Sequence, residues 1–238
     1  GGGQYDYDTA VTVTAVPAVG HHFVNWTEDG TEVSTAPNYS FTALNNRDLV
    51  AHFLINSYTV ALVPGAHGTL NGTTAQTVDH GNDAAAVEAT PDSNYHFVRW
   101  MRGGVEYGRA NPLTIANVTD DITVTAEFEL DTYTVTFIAG ANGMVTGSLT
   151  QVIGHGGSTT AVAAIGLAGY VFDHWLHDGG NYGSTNPLTV NGVVANMTLT
   201  AVFRPALTVD PDGAFILSIP PEAFPAGLAV WDLSGHYE

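Results

Sequence analysis

Histidines and carboxylates are the residues with which this chain could do chemistry. Its 238 residues include 10 His and 23 Asp plus Glu, and no Cys. His174, His177 and Asp178 lie close together, His21 and His22 are adjacent, and His80 and His155 sit in the related stretches "DHGND" and "GHGGS". A zinc site needs three or four converging ligands. Asn25 and Arg99 hold the place of His174 in the two sister stretches, so that histidine reads as a solvated loop residue. His80 and His155 read as turn residues capping backbone groups. Asp120–Asp121 and "DPDG" at 210–213 bring several oxygens together, yet neither has the spaced ligand series of a calcium loop. Asp and Asn in turns usually bond their own backbone. No nucleophile elbow, phosphate loop or paired-carboxylate motif occurs. The expectation is a protein that is not an enzyme, with no catalytic residues, no cofactor and no metal.

Charge narrows the partners. The formal net charge is −18, and it arises from a shortage of bases: the chain has five Arg and no Lys. Such a surface repels phosphate backbones, so nucleic-acid binding is not expected. No apolar run approaches the length that crosses a bilayer, so membrane insertion is not expected either. Lysine chemistry, from Schiff bases to isopeptide cross-links, is excluded. Sequons at Asn25, Asn38, Asn71, Asn117 and Asn196 would accept glycans in a host that attaches them.

The strongest signal is repetition. "GHHFVNW" ends at Trp26, "NYHFVRW" at Trp100 and "GYVFDHW" at Trp175. Phe53, Phe128 and Phe203 are 75 residues apart, as are Tyr58 and Tyr133. A fixed period of this size marks an array of small units. Alternation runs through each unit: Ile122, Val124, Ala126 and Phe128 share one face of a segment whose other face carries Thr123, Thr125 and Glu127. Period two with one apolar side predicts antiparallel strands that are half wet. In chain order the expected strands are the opening "YTVAL" or "YTVTF", a second strand before "DHGND" or "GHGGS", and a third in "AAAVEATP", "TTAVAAIG" or "AVTVTAVP". The Phe–Trp strand comes next, then a Gly- and Asn-rich loop, the short strand "NPLTI", "NPLTV" or "PNYSF", and the closing strand. The fold class predicted is mostly β: a tandem array of three small antiparallel modules with little or no helix. The boundaries are 1–54 for repeat 1, 58–129 for repeat 2, 133–204 for repeat 3, and 205–238 for a β tail.

The pairs Phe23/Trp26, Phe97/Trp100 and Phe172/Trp175 are each repeat's largest side chains and are the expected core anchors. A module this small buries a modest share of its surface, and each aromatic contributes roughly 150–250 Å². The rival reading is a platform on which surface glycans stack, for which Tyr107 and Tyr182 are the matched candidates.

The order "YTVTF…GANG…GHG…TTAVAAI…GYVFDHW…NPLTV…MTLTAVF" resembles the divergent InlB B-repeat family. Residues 58–204 match that pattern twice, and residues 4–53 match its later part; repeat 1 has "PNYSF" for "NPLTV" and no opening strand. The resemblance implies β-grasp-like modules arrayed in secreted or cell-surface proteins. It implies spacer, adhesion or interaction roles without catalysis.

The two ends differ from that plan. Repeat 1 lacks its first strand, which would leave an edge and a core open. Beyond Phe203, "ALTVDPDGAFILSI" begins like a fourth repeat and then departs from it. Leu207, Val209, Phe215, Leu217 and Ile219 alternate within two short strands, and residues 206–219 are expected to pair with repeat 1 of a neighbouring chain. The reading is a non-enzymatic extracellular or cell-surface structural protein. It would be a rod-like spacer, or a filament subunit assembling head to tail by strand complementation. Its expected partners are copies of itself or neighbouring modules of a longer chain. The linkers at 54–57 and 130–132 are short and lack Gly, which predicts a stiff rod.

Overall fold

The structure is a computed structural model; it describes residues 2–209 and 215–217. The chain divides into two compact units, Gly1–Glu129 and Leu130–Glu238. The first holds repeats 1 and 2, the second repeat 3 and the tail.

Repeat 1 contributes β1 (Ala10–Thr14), β2 (His21–Glu28), β3 (Thr31–Ser34), β4 (Asn38–Thr42) and β5 (Leu49–Ile55). Repeat 2 contributes β6 (Ser57–Val63), β7 (Gly68–Asn71), β8 (Ala75–Asp79), β9 (Glu88–Pro91), β10 (Tyr95–Arg102), β11 (Val105–Gly108) and β12 (Ile122–Leu130). Repeat 3 reproduces these seven as β13 (Thr132–Ala139), β14 (Gly143–Thr146), β15 (Thr150–Gly154), β16 (Ala163–Gly166), β17 (Tyr170–His177), β18 (Gly180–Gly183) and β19 (Met197–Pro205). Among the described residues there is no helix, and so none long and apolar enough to cross a membrane.

Repeats 2 and 3 share one topology. A five-stranded sheet is ordered β11-β10-β12-β6-β8 in repeat 2 and β18-β17-β19-β13-β15 in repeat 3. A two-stranded sheet, β7-β9 or β14-β16, accompanies it. The opening strand lies beside the closing strand and runs parallel to it: Val60 pairs with Ile122 and Leu62 with Val124, and Val135 pairs with Met197. At the centre of each five-stranded sheet the pairing is therefore parallel, where alternation reads as antiparallel. Alternation cannot distinguish the two pairings, because side-chain direction has the same period in both.

The apolar face of these strands makes the core. Val60, Leu62, Val78, Val87, Trp100, Val124 and Ala126 are buried in repeat 2, with Val135, Phe137, Val162, Trp175, Leu199 and Ala201 in repeat 3. Gly68 and Gly143 let the turn press on this core: a Cβ at either would stand 2.3 or 2.1 Å from the ring of Phe128 or Phe203.

Three local expectations change. The segment after each Trp is a hairpin arm, not a loop. β2–β3, β10–β11 and β17–β18 are joined through Asp29-Gly30, Gly103-Gly104 and Asp178-Gly179, all with positive φ. Those dipeptides are the strong signal of a two-residue hairpin turn. "NPLTI" and "NPLTV" are not strands, since each makes a single bridge, Val87–Leu113 and Val162–Leu188. The Asn that opens each does the ladder's work with its side chain. Asn111 accepts from the Ala89 N–H at 2.8 Å and donates to its carbonyl at 2.7 Å, as Asn186 does for Ala164. Repeat 1 has no such Asn, and there β4 pairs along its length with β1. Finally, the third strand is shorter than expected, because Gln76 and Gln151 amides bracket the Ala85 and Thr160 backbone in the place of a neighbouring strand.

Candidate functional site

Each Trp sits at the middle of its module. Trp100 and Trp175 are 0% exposed and Trp26 is 7% exposed. The indole N–H donates to a carbonyl in each case: Pro37 at 3.4 Å, Ala110 at 2.9 Å and Thr185 at 3.1 Å. A buried Trp needs such an acceptor. Phe23, Phe97 and Phe172 are half-buried and lie 5.8, 5.6 and 5.5 Å from their Trp partners, ring centre to ring centre. Each also meets the closing-strand ring edge-on: Phe53, Phe128 or Phe203.

Repeat 1 departs from its sisters along β5. In repeat 2 the matching strand β12 is flanked by β10 and β6; in repeat 1, β5 pairs with β2 alone among the described residues. Phe128 is 8% exposed, whereas Phe53, its counterpart, is 37% exposed. A cavity of about 920 Å³ opens here, lined among others by Val11, Val13, Trp26, Phe41, Arg47 and Leu49. In repeat 2 the first hairpin supplies Val60, Leu62 and Val78 to the corresponding core. One cation tempers the open flank. Arg47 donates from its Nε and Nη2 to the Glu28 carboxylate and from Nη1 to the Tyr39 hydroxyl. The Arg47 hydrogen bond holds the Glu28 carboxyl below its ordinary range, against a smaller opposing effect of desolvation.

The junction between repeats 1 and 2 is one residue. Leu54 and Ile55 belong to β5 and Ser57 to β6, so the expected linker at 54–57 reduces to Asn56. The Asn56 N–H donates to the Gly20 carbonyl at 2.7 Å, and its own carbonyl accepts from the His80 N–H at 2.8 Å. The His22 Nδ1–H donates to its Oδ1 at 2.8 Å. Gly20 abuts the His80 ring so closely that a Cβ there would fall 2.2 Å from it. In the second unit, Leu130 lies in β12 and Thr132 in β13, leaving Asp131 alone between strands; its carbonyl accepts from the His155 N–H at 2.8 Å.

The residues first suspected of chemistry have structural partners. The His80 and His155 rings lie 3.3 and 3.4 Å from the Tyr58 and Tyr133 hydroxyls, so they tie the turn to the opening strand where capping of backbone groups was expected. His174 meets Asp173, while His177 meets the Thr198 carbonyl and Asp178. Among the described residues no group of three or more His, Cys, Asp or Glu is placed to hold a metal. Asp121 accepts from the Thr59 N–H at 2.8 Å, and Asn196 accepts likewise from Thr134. Asp120 pairs with Arg102. Tyr107 and Tyr182 are 38% and 40% exposed, and Tyr182 stands edge-on to His177.

Of the expected assembly residues, Leu207 and Val209 lie in β20 (Leu207–Val209), and Phe215 and Leu217 in β21 (Phe215–Leu217). These pair antiparallel with each other, Leu207 opposite Leu217, in a sheet with no third strand among the described residues. Ile219, the turn at 210–213 and the rest of the tail lie outside the described residues.

Fold and site together define a class: repeated all-β modules held by a Phe–Trp core, each closing on a strand that leads directly into the next. The chain belongs to the divergent InlB B-repeat domain family, whose model matches residues 1–57, 58–132 and 133–207. That is a non-catalytic repeat domain typical of surface proteins. No solved structure matches the chain.

Proposed function

We propose that this is a non-enzymatic extracellular structural protein in which the repeats act as a spacer. The observation that carries the reading is the one-residue junction at Asn56, bonded on both sides and backed by the Gly20–His80 contact. A flexible tether would need several unpaired residues there. The chain has no Cys, so spin labels can be placed at will on Thr31→Cys and Val105→Cys, one in each repeat. The expected result is a single narrow distance distribution that broadens when two glycines are inserted beside Asn56. A broad distribution in the unaltered junction would overturn the spacer reading.

The open flank of β5 favours a second layer to the same function, assembly by strand complementation. An edge strand that carries half-exposed Phe53 and, at its start, Leu49 in the cavity lining fits an extended, alternating strand running parallel to β5. The occupant proposed is the segment 206–219 of a second copy, because "LTV" at 207–209 resembles the "YTV" that opens repeats 2 and 3, one residue short of the 75-residue period. Such a contact is head to tail and would build filaments. Light scattering and electron microscopy of the full chain and of a variant lacking 206–238 test it. Fibres from the first and single molecules from the second are expected; single molecules from both would overturn it. Binding to a glycan array that is lost in Tyr107→Ala or Tyr182→Ala would instead favour the adhesin reading.

A further inference from the structure

We infer that repeats 2 and 3 are built to bear tension along the chain, each through a shear clamp formed by its first and last strands. The inference rests on the structural-spacer reading and adds a mechanical function to it. Tension enters repeat 2 at the start of β6 and leaves at the end of β12. These two strands are neighbours and parallel, with Val60, Ala61, Leu62 and Val63 opposite Ile122, Thr123, Val124 and Thr125. The pull therefore draws β6 one way and β12 the other, along their own axes. Every rung between them is loaded at the same time, because the ladder lies across the direction of pull. An antiparallel hairpin pulled by its two ends opens one rung at a time.

Repeat 3 has the same device with five partners, from Val135–Met197 to Ala139–Ala201. Two further features strengthen it. The paired strands sit inside the five-stranded sheet, flanked by β10 and β8 or by β17 and β15, so neither is an edge. Side chains also carry the ladder past its last partner: the Thr59 N–H is held by Asp121 and the Thr134 N–H by Asn196, both at 2.8 Å. Repeat 1 serves as an internal comparison, since its described strands pair only antiparallel and β5 has one neighbour.

Single-molecule force spectroscopy of the full chain, held at its two ends, tests the inference. Forced unfolding is governed by the unfolding rate and so reports the barrier directly. Two high-force events are expected, each releasing about 240 Å of chain, the extended length of one repeat. Repeat 1 should yield earlier and at several-fold lower force. The absence of Cys allows a second pulling direction in the same folded protein. Handles on Thr132→Cys and Ala195→Cys, or on Ser57→Cys and Thr119→Cys, load the parallel pair from one shared end and peel it. All four positions are exposed or half-buried at most. Circular dichroism of the labelled variants checks that they are folded, and the two pairs stand in for each other. Peeling should need several-fold less force than pulling end to end. Equal force in the two directions, or repeats 2 and 3 yielding as easily as repeat 1, would overturn the clamp. A flexible junction at Asn56 would sink the spacer reading and leave this comparison intact, because it is read within single repeats.

Discussion

The Arg47 guanidinium lies 4.6 Å above the centre of the Phe41 ring, at the position that Ile122 and Met197 occupy in the sister repeats. It also spans to Glu28 and Tyr39. A planar cation can cover an aromatic face and still hold a carboxylate, so repeat 1 keeps an open flank that an aliphatic side chain would leave bare.

Acid should loosen this arrangement first. The folded-state pKa of Glu28 is lowered by its hydrogen bond to Arg47, relative to about 4.3 in an unfolded chain. A lowered carboxylate contributes stability that is fully present above the unfolded value and is lost as pH falls through the folded one. Glu28→Gln should therefore flatten the acid limb of the repeat 1 melting curve and leave neutral behaviour of repeats 2 and 3 unchanged. An acid limb of unaltered slope would show that the pair contributes nothing to folding.

The three Trp positions should differ in cost. Trp100→Ala empties a fully enclosed site and should destabilise repeat 2 by about 3–5 kcal/mol. Trp26 already lines the cavity of repeat 1. Its loss should cost about half as much, because less is surrendered where packing is incomplete. Urea titrations of the two variants, resolved by module, read the difference.

Gly143→Ala should destabilise repeat 3 by about 1–3 kcal/mol through steric pressure on a packed ring. The Cβ would meet Phe203 at 2.1 Å. Combining it with Phe203→Leu should recover part of the loss, and a double-mutant cycle would measure the coupling. Strict additivity would mean that the two positions do not collide.

Asn111→Ala should cost about 1–3 kcal/mol, since it strips partners from the N–H and carbonyl of buried Ala89. Asn111→Asp keeps the acceptor and sets a carboxylate against the Ala89 carbonyl, so it should not rescue. Amide exchange at Ala89 should accelerate in both variants.

Much of the module was legible in the chain itself. The alternation of Ile122, Val124, Ala126 and Phe128 named the buried face of β12 residue by residue. The Trp spacing located the centre of each core. The hairpins through Asp29-Gly30, Gly103-Gly104 and Asp178-Gly179 carry a two-residue turn signal in the chain, although the stretch reads as a loop when only its Gly and Asn content is weighed. The roles of Asn111, Asn186, Gln76 and Gln151 were not legible. An amide side chain that substitutes for a strand looks like any polar loop residue until its partner, nine or 22 residues away, is placed.

What the sequence determined by itself is the period, the strand-rich class and the inward face of each strand. All of these come from side chains repeating every second residue over short range. Tertiary structure alone decided that opening and closing strands lie side by side and parallel, since Val60 and its partner Ile122 are 62 residues apart and alternation carries no direction. It also decided that a single residue joins repeat 1 to repeat 2, because two strands in sequence show their boundary only once each has found its own sheet. And it made β5 differ from β12: the two read alike as alternating segments, and only the neighbours around them leave Phe53 half-exposed and Phe128 enclosed.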